Sequence, residues 1–125
     1  MENFRLLMLC SMLIFSTMVG GDPLPAPQDE IEHLIHYVEV SDCLFNRNGQ
    51  WYSGVEAGDH LRTKYKSILN IWSTPTAEEF IRNIASHSSF SGTPYLIRCG
   101  SGDLTPSADW LLQELNRYRA SQLNL

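Results

Sequence analysis

Leu44-Phe45-Asn46-Arg47-Asn48-Gly49-Gln50-Trp51-Tyr52-Ser53 is the stretch on which the fold turns. Two short runs rich in aromatic residues flank Asn48-Gly49. A two-residue type I′ turn needs positive φ at both central positions, which Asn and Gly tolerate best. The stretch therefore predicts a β-hairpin. Counting outward from the turn pairs Arg47 with Gln50 and Phe45 with Tyr52 on one face, and Asn46 with Trp51 on the other. Arg47 is carried to the hairpin tip.

On the C-terminal side, Ser53-x-x-Glu56 reads as a capping box, and Ala57, Leu61, Tyr65, Ile68 and Trp72 continue a helical stripe, with the helix ending near Leu69. On the N-terminal side, Ile31, Leu34, Ile35 and Val38 recur at i, i+3, i+4 and i+7. They predict an amphipathic helix from about Gln28 to Val40, with Asp29, Glu30 and Glu32 at its favourable dipole end. A second box, Thr76-x-x-Glu79, opens a helix with Phe80, Ile81, Ile84 and Ala85 inward, closed by the polar run Ser86 to Gly92. Tyr95 to Cys99 reads as a third strand entered through Pro94. Ser107-Ala108-Asp109 is expected to cap a last helix that buries Leu111, Leu112, Leu115 and Tyr118.

Cys43 and Cys99 bracket this pattern. In an exported chain an even pair admits one intramolecular connectivity, so a Cys43–Cys99 disulfide is expected, two separate buried thiols being the alternative. A bond there sets the third strand beside the first. The expectation is an α+β domain over residues 29–120, about four helices packed on a small three-stranded antiparallel sheet of order 2-1-3, with a tail at 121–125.

The first 21 residues have another character. Arg5 precedes an uncharged apolar run from Leu6 to Phe15, followed by small residues up to Gly21, the outline of a secretory signal peptide. The run is shorter than the ~20 residues of a membrane span, so no stable span is expected after cleavage. Asp22-Pro-Leu-Pro-Ala-Pro27, within a lead-in at 22–28, reads as an extended spacer. Export to the periplasm or beyond is the expected address. Nine Lys and Arg against 14 Asp and Glu give a net charge of −5, which argues against nucleic acid as a partner.

Phe45-x-Arg47-Asn48-Gly49, Glu56-Ala57-x-x-His60-Leu61-Arg62-x-Lys64, Thr76-Ala77-Glu78-x-Phe80-Ile81 and Ser88-Ser89-x-Ser91-Gly92-x-Pro94-Tyr95-Leu96-Ile97, in this order and spacing, resemble the YfeK-like family of small exported bacterial proteins. The resemblance runs from about Ile31 to Tyr118. It implies bacterial origin and a periplasmic address; the family is one of uncharacterised function and carries no active site across.

The chemistry must come from the residues. Glu56, His60 and Lys64 stand at i, i+4 and i+8, one stripe along the second helix, with Arg62 pointing elsewhere. Arg47, Arg62, Lys64 and Arg98, with His60, are candidates for an anion-binding patch, against the plainer reading of solvated charges. Trp51, Tyr52, Trp72 and Tyr95 offer a stacking groove or core. His87 beside Ser88 and Ser89, or His60, would be the base of a small hydrolase, although no Gly-x-Ser-x-Gly or Ser-x-x-Lys motif accompanies them. His33 and His36 with Glu32 or Glu39 have metal-ligand types, but without His-Glu-x-x-His or Cys-x-x-Cys spacing no metal or cofactor is expected. The leading expectation is a non-catalytic binding or interaction module of the bacterial cell envelope. Its partner would be an envelope protein or cell-wall component.

Overall fold

The computed structural model describes residues 25–71 and 73–124; the expected signal peptide at 1–21, residues 22–24 of the lead-in, Trp72 and Leu125 of the expected tail lie outside them. Helix α1 spans Pro27–Val40 and buries Ile31, Leu34, Ile35 and Val38. The helix starts at Pro27, one residue before the expected Gln28, at a position placed in the lead-in. A proline there loses no helical hydrogen bond and has φ already set for the helix.

Strands β1 (Leu44–Arg47) and β2 (Gln50–Tyr52) pair antiparallel in the register Phe45 to Tyr52, Asn46 to Trp51 and Arg47 to Gln50. Between them Asn48 has φ 52° and Gly49 φ 82°. Helix α2 (Gly54–Leu69) follows at once, with the Ser53 hydroxyl accepting from the Glu56 N–H at 3.2 Å. Gly54 lets α2 start against the end of α1, because a Cβ there would overlap the Val38 carbonyl oxygen and come within 2.8 Å of that of Ser41.

Helix α3 (Ala77–Phe80) is capped by Thr76, whose Oγ1 accepts from the Glu79 N–H, and widens into a π-helical turn at Ile81–Ala85. The turn buries Ile81, Ile84 and Ala85 together. Carbonyls at the end of a helix have no partner within it. Here two of them are reached from outside: Lys64 Nζ donates to Ile84 O at 2.7 Å and Ser107 Oγ to Ala85 O at 2.8 Å. Ser107 was expected as a helix cap; it is instead the first residue of α4 (Ser107–Leu123), which starts behind Pro106 without a side-chain cap.

The sheet also corrects the expectation. It has four strands, in the order β2-β1-β3-β4, not three. β3 (Leu96–Arg98) pairs with β1, and β4 (Thr105–Pro106) adds a two-residue antiparallel edge, Leu96 to Pro106 and Ile97 to Thr105. A strand this short has no periodicity to read, and its proline is tolerable because it lies at the edge. Inward-facing Phe45 and Ile97 join the helices' apolar faces in one core with Leu61, Phe80 and Leu111. Each such side chain contributes about 1.5–3 kcal/mol by burial.

The register that sets Leu44 opposite Arg98 places Cys43 opposite Cys99, and the two form a disulfide with Cα atoms 4.2 Å apart. At a sequence separation of 56, constraint of the unfolded chain is worth about 4 kcal/mol in the chain-entropy model. No described helix is long and apolar enough to cross a membrane.

Candidate functional site

The hairpin, α2 and the segment leading into β3 meet around a group of polar side chains. Arg47 follows Phe45 by two positions, so its side chain leaves β1 on the inward face and reaches α2. Its Nη1 lies 2.6 Å from Nδ1 and 2.8 Å from Nε2 of His60, while Nη2 donates to Tyr52 Oη at 3.3 Å and the guanidinium sits over the Tyr52 ring, 4.8 Å from its centroid.

One turn further along α2, Lys64 Nζ donates to Ile84 O at 2.7 Å, His87 O at 3.3 Å and Tyr95 Oη at 3.3 Å, and lies 5.2 Å from the centre of the Tyr95 ring. Tyr95 Oη is also 3.3 Å from His60 Nε2. The guanidinium is donor-only, so a neutral His60 accepts from Arg47 through its unprotonated ring nitrogen. The Tyr95 hydroxyl accepts from Lys64 and faces the His60 ring.

The electrostatics follow from this crowding. Burial, and then the adjacent Arg47 charge, bring Lys64 down from 10.5 to about 8. Burial, Arg47 and Lys64 hold His60 below its ordinary 6.5, so its ring is neutral at pH 7. Burial raises the Tyr95 phenol and keeps it protonated. Among the described residues no carboxylate comes within 4.0 Å of Arg47 or Lys64. Other arginines are neutralised: Arg62 by Glu32 and Glu39 at 2.8 and 3.0 Å, Arg119 by Glu30 and Glu78, and Arg117 by Glu114.

Two adjoining cavities share Arg47, His60 and Tyr95 as walls. One, of about 300 Å³, runs between β1 and α2 and is lined by Val38, Phe45, Ala57, Leu61 and Ala85, with the exposed Glu56 and Asp59 also contributing. The other, of about 240 Å³, is lined by Asn48, Lys64, Ser88, Ser89 and Phe90 and has no acidic residue in its walls. The loop forming its outer wall is braced against the hairpin: Asn48 Nδ2 donates to Ser88 Oγ at 3.3 Å and Ser91 Oγ to Asn48 Oδ1 at 2.7 Å.

Of the sequence candidates, the structure thus brings Arg47, His60 and Lys64 together. Arg62 is turned to the glutamates of α1, and Arg98 lies on the outer face of the sheet, its guanidinium 4.9 Å from the centre of the Trp51 ring. The His87 imidazole is 2.8 Å from Ser86 Oγ, and neither it nor His60 hydrogen-bonds to Ser88 or Ser89. His33 pairs with Glu114 at 2.7 Å and stacks on Tyr118, while His36 stands 3.9 Å from Glu39. No three His, Cys, Asp or Glu among the described residues are grouped to hold a metal ion. Asn48 was assigned to its turn and Tyr95 to a groove or the core. Neither is singled out for this site by local pattern, because both act through residues distant in sequence.

These features define a small disulfide-linked α+β domain with a cationic cleft beside its hairpin. Residues 25–119 match the family of unknown function DUF5329, and the chain belongs to that family. Over 57 residues it is 42% identical to the uncharacterized protein YfeK of Salmonella typhimurium, a stretch covering 46% of this chain and 46% of that protein. The match thus spans about half the length of that relative. No solved structure matches the chain.

Proposed function

We propose that the domain is a binding module of the bacterial cell envelope and that its cleft holds an anionic group, a carboxylate or phosphate carried by an envelope protein or cell-wall component. The observation that carries this reading is the convergence of Arg47 and Lys64 on a cavity with no acidic residue in its walls. Arg47 supplies hydrogen-bond donors. Lys64, whose three N–H groups already have acceptors, supplies charge. A charge-assisted hydrogen bond contributes about 1.5–3 kcal/mol. The periplasmic or secreted address is supported by the pattern of residues 1–21 and by the disulfide.

The test is titration of the isotope-labelled mature domain with inorganic phosphate and with acetate, followed by NMR. The amides and side chains of Arg47, His60, Lys64 and Tyr95 shift together, Arg47→Gln weakens the response about 10-fold or more, and Lys66→Gln, an exposed charge elsewhere on α2, leaves it unchanged. Shifts scattered over the surface, or equal in Arg47→Gln and native protein, overturn the proposal.

A further inference from the structure

The anion site does not stand alone: three of its side chains are also walls of a larger apolar cavity. Arg47, His60 and Tyr95 separate the 240 Å³ space that holds Lys64 from the 300 Å³ space lined by Val38, Phe45, Ala57, Leu61 and Ala85. Simple anions need only the first. An apolar recess of this size beside fixed cations matches a ligand with an uncharged, water-avoiding body joined to an acidic end. Building on the anion-site reading, we infer that the ligand is an amphiphile, with one carboxylate or phosphate group at Arg47, Lys64 and Tyr95 and an apolar chain running between β1 and α2.

Size and polarity set the chain. At ~30 Å³ for each water-sized volume, and with a methylene occupying nearly as much, the apolar cavity takes a chain of about eight to ten carbons. Glu56 and Asp59, the acidic residues lining that cavity, are exposed and oppose a second acidic group on the chain. The ligand accordingly carries its charge at one end. At the other cavity Phe90 is fully exposed on the loop whose backbone is fixed through Ser88, with Phe90 N–H and Ser91 N–H both donating to Ser88 Oγ at 3.3 Å. It borders the mouth of the cavity that Lys64 lines.

The experiment is a calorimetric series on the native mature domain at pH 7, below micelle-forming concentrations: acetate, butyrate, hexanoate, octanoate and decanoate, then inorganic phosphate, octyl phosphate and octanol. Affinity is expected to climb by up to about fourfold per methylene and to level off at eight to ten carbons, with octanol at least tenfold weaker than octanoate. Comparing octanoate with octyl phosphate at equal chain length tells which acidic group the cleft prefers. Ala57→Leu, which fills the apolar cavity from α2, flattens the dependence on chain length; the native series stands without it if that variant does not fold. A flat native series with phosphate binding still sensitive to Arg47→Gln overturns the amphiphile and leaves the anion site. Octanol binding as tightly as octanoate, or no binding by any probe, overturns both.

Discussion

Replacing Lys64 with methionine tests the electrostatics of the cleft without any ligand. The ammonium is a base whose pKa falls from 10.5 in a solvated chain to about 8 in the folded protein, so the folded state sheds this proton first. Between those pH values the unfolded chain binds more protons, and stability must rise with pH. The difference corresponds to about 3 kcal/mol at most. Because Lys64 is only partly buried, solvent screening reduces the measurable rise to about 1–2 kcal/mol. Methionine keeps the length of the side chain and abolishes the titration. It also strips donors from Ile84 O and His87 O, which costs about 1–3 kcal/mol, but this offset does not vary with pH. Urea unfolding of both proteins at fixed ionic strength from pH 7 to 10 therefore gives two curves whose separation changes with pH, the native protein gaining on the variant above pH 8. Tyr37 and Tyr65, whose pKa values are raised above the ordinary 10.0, lose their protons first in the unfolded chain as the pH nears 10, a destabilisation that the native and variant proteins share and that cancels from their difference. A saturating anion that occupies the cleft raises the Lys64 pKa again and suppresses the effect. Parallel curves across the whole range would refute the burial of the Lys64 ammonium beside Arg47.

Gly54→Ala forces a methyl group against the carbonyls of Val38 and Ser41, and the separation of α1 and α2 it demands should cost about 1–3 kcal/mol in urea unfolding, against a helix-propensity gain below about 1 kcal/mol; unchanged stability would show that the two helices are not in contact there. Cys43→Ala with Cys99→Ala should lower stability by about 2–5 kcal/mol, and added reductant should then have no further effect on the double variant, while it destabilises the native protein.

Much of the architecture was legible because local chemistry and tertiary position agree. Asn48 and Gly49 occupy the positive-φ positions of the connection between β1 and β2, and the apolar spacing from Ile31 to Val38 marks the face that α1 buries. The order of the first three strands followed from Cys43 and Cys99, since a bond between them sets β3 beside β1. Three features escaped the pattern for a common reason. β4 is two residues long, Ser107 turns its hydroxyl to Ala85 instead of its own helix, and the widened turn at Ile81–Ala85 is apolar on the inward side like any α-helix. Ser107 and the widened turn are fixed by partners 20 or more residues away and β4 by pairing with β3, and no nearest-neighbour rule describes them.

The cleft shows where such reasoning stops. Arg62 and Lys64 are two positions apart on α2, hence about 200° around its axis, so they were bound to serve different surroundings. Which surroundings depends on what is packed across each face: the glutamates of α1 for Arg62, and the carbonyls at the end of the π turn for Lys64. A chain with 14 acidic residues against nine basic ones has carboxylates to spare, and it places them on Arg62, Arg117 and Arg119. Arg47 and Lys64 are held together without one. Two cations drawn partly out of water repel each other, and the depressed Lys64 pKa records first its burial and then that repulsion. An anion entering from solution would relieve the repulsion and raise the lysine's pKa again. The same feature that weakens the empty cleft would strengthen its grip on an acidic ligand.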